Sequence, residues 1–248
     1  MHLLGSLLDK IRKRNGNVFD ADIQPDERLF VIGDVHGRSD LLLKLLEKAP
    51  EGVRMVFVGD LIDRGDDSAK VLSIVHKLCD SGAICVMGNH ERMMLDFLHL
   101  PEKNFRTWIR YGGFQTLQSF GVQLNKVAID AKNFEGVRDQ LCEALPDGME
   151  IWLRNLPTHW SSGNVHIVHA AADPEIAMDY QNSQVLCQGC RNFFHKVRKD
   201  GQWVVHGHTI VEHPVVEAGR IAVDTGAYLS ERLTGVLIAK NKIDFIMV

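Results

Sequence analysis

Three times in its first half the chain runs a short apolar stretch into a loop that opens on Gly and carries Asp, His or Asn. Leu29-Phe30-Val31-Ile32 leads into Gly33-Asp34-Val35-His36-Gly37, Met55-Val56-Phe57-Val58 into Gly59-Asp60-Leu61-Ile62-Asp63-Arg64-Gly65, and Ile84-Cys85-Val86-Met87 into Gly88-Asn89-His90-Glu91. Four apolar residues closed by turn residues read as a strand buried on both faces. Between the blocks, Leu41, Leu42, Leu45 and Leu46 in residues 40–48, with Ser39 as a candidate cap, fall at helical spacing, as do Val71, Leu72, Ile74, Val75 and Leu78 in residues 67–78. Each helix returns the chain for another parallel strand. The pattern predicts layered α/β packing with the three loops gathered at one edge of a sheet.

Those loops bring together carboxylate oxygen, amide oxygen and imidazole nitrogen, a ligand set that suits Mn, Fe or Zn better than Ca or a thiolate site. One Gly-Asp junction is also ordinary turn chemistry. Three in order, each ending a strand, point to a shared metal site. From Arg92 to about residue 156 the pattern is mostly helical, broken at Gly112-Gly113, Gly121 and Pro146-Asp147-Gly148, and reads as a helical insertion. Strands resume at residues 165–169, 203–208, 220–224 and 235–239, and no long regulatory tail is expected after the last.

Composition narrows the setting. At 248 residues, 45% hydrophobic and 24% charged, the chain can bury a sizeable core in one large domain. A formal net charge of −4 leaves no basic field for a phosphate backbone, so nucleic acid is not an expected partner. The five Cys (79, 85, 142, 187 and 190) are an odd set without a regular framework, which argues for free thiols in a reducing, cytoplasmic compartment. No apolar segment is long enough to span a bilayer. Leu3, Leu4, Leu7, Leu8 and Ile11 form one face of an amphipathic N-terminal helix within a lead-in of residues 1–28. It is expected to dock on the body of the protein, with weak membrane or partner attachment as the alternative. The basic residues follow the apolar ones and no small-residue cleavage site appears, so it does not read as a secretory signal.

The blocks GDVHG, GDLIDRG and GNHE resemble the metallophosphoesterase (calcineurin-like) superfamily, and within it the phosphoprotein phosphatase family in its compact bacterial and phage form. His169 at the end of a later strand, Gly207-His208-Thr209 and Val223-Asp224-Thr225-Gly226-Ala227 extend the resemblance from about Leu29 to the C-terminus. It implies a four-layer α/β/β/α sandwich of two mixed sheets flanked by helices, with the insertion at about residues 92–156 in a single domain of residues 29–248. It also implies two divalent metals, Mn ahead of Fe or Zn. Asp34 and His36 would hold one, Asn89, His169 and His208 the other, and Asp60 would bridge them. The implied reaction is hydrolysis of phosphoserine or phosphothreonine in a phosphoprotein or phosphopeptide by a hydroxide shared between the metals. His90 would protonate the leaving alkoxide, oriented by Asp63. Arg64, Arg191 and Asn89 would bind the phosphate, a task suited to the guanidinium fork.

Two departures stand out. Gly189 replaces an aromatic residue that relatives carry two positions before Arg191, and Ala170-Ala171-Ala172 follows His169 where a Gly is usual. Cys187-Gln188-Gly189-Cys190 forms a CxxC that reads as incidental free thiols, a redox pair or half a zinc site. A symmetrical dinucleoside tetraphosphate hydrolase is the alternative activity. Asp63 and Glu91 favour the protein phosphatase, since in the tetraphosphatase branch the residue before the Arg is small and uncharged and the third block ends in Asp. A non-catalytic phosphopeptide-binding module is disfavoured because every expected ligand and His90 are present. Oligomeric state is left open.

Overall fold

The computed structural model describes residues 19–124 and 133–248. The amphipathic helix expected from Leu3 to Ile11 lies outside them. Strand β1 (Leu29–Ile32), helix α1 (Ser39–Glu47), β2 (Arg54–Phe57), α2 (Ser68–Asp80) and β3 (Ile84–Cys85) follow the expected alternation, with β1, β2 and β3 paired in parallel. The third strand is shorter than its apolar run, because Met87 N turns away to bond Pro157 O. Ser39 is not the cap of α1: Arg38 holds that position, and Ser39 Oγ instead bonds Asp67 Oδ2 at 2.6 Å, tying the starts of α1 and α2 together.

Helices α3 (Asn89–His99), α4 (Pro101–Trp108), a kinked turn (Ile109–Gly113), α5 (Phe114–Ser119), α6 (Phe134–Ala144) and α7 (Met149–Arg154) make up the insertion. The chain then forms β4 (His159–Ser162), β5 (Val165–Val168), α8 (Ser183–Gln188), α9 (Asn192–His195), β6 (Trp203–His206), β7 (Val215–Glu217), β8 (Arg220–Ala222), α10 (Ala227–Ser230), β9 (Thr234–Ala239) and β10 (Lys242–Met247). One mixed sheet has the order β10-β9-β1-β2-β3 and the other β4-β5-β6-β8-β7.

Strand alternation explains the layers. Leu29 and Val31 of β1 turn inward with Val56, Val58 and Val86 to meet Val165, Ile167, Val205 and Ile221 of the second sheet, giving a dry aliphatic core between the sheets. Phe30, Ile32 and Phe57 face the other way, into a core shared with α1, α2 and the insertion. Val204 packs outward on Leu186 of α8 and Phe193 of α9. Each fully buried Val, Leu or Phe contributes roughly 1.5–3 kcal/mol. The lead-in joins this framework, with Ile23 in the inter-sheet core and the Phe19 ring edge-on to Trp203 at 4.9 Å. Because β1, β2, β3, β5, β6 and β8 all run toward one end, their following loops meet there, as is usual for sites on parallel sheets.

Candidate metal centre

Asp60, from the loop after β2, sits at the middle of that edge. Its carboxylate lies 3.6 Å from His36 Nε2, 3.8 Å from His90 Nε2 and 3.4 Å from His169 Nε2. Two groups of facing ligand atoms share it: His36, Asp60 and His90, and Asp60, His169 and His208. His36 Nδ1 donates to Ile62 O at 2.8 Å and His169 Nδ1 to Val58 O at 2.9 Å, so in the neutral ring each leaves Nε2 bare toward the centre. Asn89 Oδ1 lies 2.8 Å from both His169 Nε2 and His208 Nδ1. Asp34 Oδ2 accepts from His208 N at 3.0 Å, while the buried Oδ1 has no hydrogen-bond partner. Asp34 belongs to neither group of three, and His90, expected to handle a proton, completes the first. A Cβ at Gly207 would collide with Asp34 Oδ1, so this strand end accepts only glycine.

The local backbone is unusual. Of the eight non-glycine residues with positive φ among those described, His36, Asp60, Asp63, Arg64 and His208 are five. Such left-handed positions cost on the order of 1–3 kcal/mol each and persist where the surroundings hold them. Glu91 provides one hold: its Oε2 accepts from Asp60 N at 2.9 Å and Gly88 N at 3.0 Å, and its Oε1 from Leu61 N at 2.8 Å. Burial, with the Asp60 charge added, pushes Glu91 up to about 7.

Electrostatics test whether the residues fit cations. Asp34, Asp60 and Asp224 are buried together, and no Lys or Arg pairs with any of them among the described residues. Burial, reinforced by Asp224 and Asp60, raises Asp34 well above the usual carboxylate range. Asp60 is held well below it, because His169, His90 and His36 outweigh burial. Burial alone would lower His169, yet Asp60 and Asp34 drive it up to about 10. The buried carboxylates thus favour a positive charge beside them. Together with the unpartnered Asp34 Oδ1 and the hard oxygen and imidazole donors, this fits divalent cations.

Beside the cluster, His90 Nδ1 and Asp63 Oδ2 are 2.6 Å apart, with both residues fully or almost fully buried. Burial works against the protonated ring, but Asp60 and Asp63 hold His90 above its ordinary value. Arg64 Nη1 donates to His36 Nε2 at 3.2 Å, and its guanidinium lies 4.5 Å above the Tyr228 ring. Arg191, at the cap of α9, is exposed and makes no hydrogen bond or ion pair among the described residues. Cys187 and Cys190 are free thiols; Cys187 Sγ donates to Met87 O at 3.3 Å, and burial pushes it up to about 11. His166 bonds His159 and Gln202 at 2.8 and 2.7 Å, away from the cluster, and His206 packs on Phe193.

Sequence reasoning missed several contributors. Asp224 stands in a block that carries the resemblance, but its place beside Asp34 was not assigned, although it ends an apolar run as the first three blocks do. Trp108, Thr116 and Tyr228 carried no such signal, since each reaches the site from an element of its own.

A family model described as calcineurin-like phosphoesterase matches residues 27–212. The chain is 28% identical over 219 residues to serine/threonine-protein phosphatase 1 of Salmonella typhimurium, covering 83% of this chain and 89% of that protein. It is 25% identical over 236 residues to the asymmetrical bis(5'-nucleosyl)-tetraphosphatase PrpE of Oceanobacillus iheyensis, covering 84% and 87%. A crystal structure of a putative diadenosine tetraphosphatase superposes with a TM-score of 0.62 at 19% identity, over 92% of this chain and 98% of that one.

Proposed function

The chain belongs to the calcineurin-like phosphoesterase family, and within it we propose a metal-dependent phosphatase that hydrolyses phosphoserine and phosphothreonine monoesters in proteins. The observation that carries this reading is the buried 2.6 Å contact between His90 and Asp63 beside the shared Asp60 carboxylate. An alkoxide is a poor leaving group and needs a proton; a carboxylate-oriented imidazole supplies one. Asp34, His36, Asp60, Asn89, His169 and His208 would hold the metals, Asp60 standing in both groups of facing ligand atoms. When bound, two divalent cations, Mn first and Fe or Zn next, supply Lewis-acid charge and lower the pKa of water.

The chain's own residues do the rest. Asp63 fixes the His90 ring so that Nε2 faces the centre, where it delivers its proton to the departing oxygen. Arg64, raised beside Tyr228, and Asn89 hold the phosphate, with Arg191 as a third contact brought in from α9. Glu91 keeps the Asp60 loop in its left-handed turn. The five unpaired thiols agree with a cytoplasmic setting.

A dinucleoside tetraphosphate is the second reading, favoured by the asymmetrical tetraphosphatase relative, which matches as much of the chain as serine/threonine-protein phosphatase 1 does, whereas a symmetrical tetraphosphatase matches 59% of it. Turnover on a phosphoserine peptide and on a dinucleoside tetraphosphate, assayed side by side with the Mn-supplemented protein, separates them. Preference for the peptide supports the proposal; preference for the dinucleotide overturns it in favour of the second reading.

A further inference from the structure

The insertion reaches into the site at one place. Trp108, the last residue of α4, sends Nε1 to Asp63 Oδ1 at 3.1 Å and Oδ2 at 3.0 Å. Thr116 of α5 donates to Asp63 Oδ1 at 2.6 Å, and the same hydroxyl accepts from Asp63 N at 3.0 Å. Between them, at the kink that joins the two helices, Gly112 O accepts from Arg64 N at 3.3 Å. We infer that the segment from Trp108 to Thr116 sets the geometry of the Asp63–His90 pair and of Arg64, with Trp108 and Thr116 as positioning residues for proton delivery.

An ionised carboxylate has about four acceptor directions. Here Thr116 and Trp108 occupy Oδ1, and Trp108 and His90 share Oδ2, so the group has a single satisfied orientation, and in it Oδ2 meets His90 Nδ1. Trp108 is itself held. It is fully buried, Phe97 stacks on it at 5.0 Å, and a Cβ at residue 113 would come within 2.5 Å of its ring, so the backbone of Gly113 lies directly against the indole. Gly112 has φ 110°, and a Cβ there would stand 2.6 Å from Arg64 N. The paired glycines let one turn of chain fit between Arg64 and Trp108. Asp63 and Arg64 are consecutive left-handed residues, φ 72° and 71°, and their two amides are taken by Ser68 and Thr116, and by Gly112.

The inference rests on the reading of His90 as proton donor, and the test separates the two. Thr116→Val, Thr116→Ser, Trp108→Phe and His90→Asn are compared with the parent for kcat and KM on a phosphoserine peptide and on p-nitrophenyl phosphate, with metal content and melting temperature measured on each. Thr116→Val is expected to lower kcat on the peptide ~10-fold, a part of the worth of a positioned acid. KM and metal content should stay unchanged, the loss on the aryl phosphate should be smaller, and Thr116→Ser should restore the rate. Trp108→Phe should follow the same pattern; if it does not fold, the Thr116 pair decides. Equal losses on both substrates, or a parental kcat in Thr116→Val, overturn the positioning role while a leaving-group-selective loss in His90→Asn leaves the proton-donor reading standing. Absence of that selectivity in His90→Asn overturns both.

Discussion

At the strand ends, His36, Asp60, Asp63, Arg64 and His208 place the proposed ligands and catalytic side chains directly on strained left-handed backbone. In the insertion, Trp108 and Thr116 sit in regular helix and offer the site an indole N–H and a hydroxyl that both donates and accepts, while Gly112 offers a carbonyl. One region carries the proposed chemistry and stores the strain. The other supplies the bonds that make the strained arrangement the only satisfied one. Such a division places the strongest dependence of turnover on residues in the first region and a graded, substrate-selective dependence on the second.

The largest effect is expected from Asp60→Asn. Its carboxylate faces three imidazole nitrogens within 3.8 Å, and removing the charge should abolish turnover and metal pairing together. Metal analysis and a phosphatase assay on the same sample check this; a variant that keeps both would detach Asp60 from the centre. His90→Asn comes next. It should keep its metals and lose ~10²–10⁴ in turnover on phosphoserine, with less loss on aryl phosphates. Loss of a metal instead would make His90 a ligand, the role in which its contact with Asp60 and His36 would then be read. The ~10-fold selective loss in Thr116→Val follows in rank and marks the boundary between the two regions.

Arg191 should matter less than Arg64, because its guanidinium is exposed while Arg64 is fixed by His36 and Tyr228. Arg191→Ala is expected to weaken inhibition by inorganic phosphate and lower catalytic efficiency with metal content unchanged, and Lys should rescue in part, lacking the fork. Parental phosphate inhibition in Arg191→Ala would remove this residue from the substrate contacts.

The smallest effect lies outside the site. Burial, then its neighbour His166, lowers His159 to about 4, and burial also lowers His166. Above the ordinary imidazole value of roughly 6.5 both are neutral whether the chain is folded or not. As pH falls from there toward about 4 the unfolded chain takes up protons that the folded pair refuses, so stability should decline through that window. Replacing both with Gln should flatten the decline in a melting series against pH; an unchanged slope would assign it to other groups.

The two regions were unequally legible in the sequence. β1 is found at the residues its apolar run marks, and α1 begins one residue before the expected span, because periodicity and turn residues act locally. β4, β7 and β10 escaped for a physical reason. β4 is a partly buried edge strand and β7 is three exposed residues long, so neither presents an apolar run, while the apolar end of β10, Phe245-Ile246-Met247, belongs to a half-buried edge strand with charged Lys242 and Asp244 at its start. The cluster residues were visible because each ends a strand. Trp108 and Thr116 lie 45 and 53 positions from Asp63, and no local pattern encodes a contact of that length. Gly112 and Gly113 were visible, but only as helix breakers; their service as the gap that admits Arg64 and Trp108 required the tertiary arrangement.

The most direct test of the central claim, that the strand-end cluster works as a two-cation phosphatase centre, is to strip the purified protein with chelator and titrate Mn back while following both bound metal and hydrolysis of a phosphoserine peptide. The account predicts that the stripped protein is inactive and that turnover returns as two equivalents bind. Undiminished turnover in the metal-free protein would contradict it.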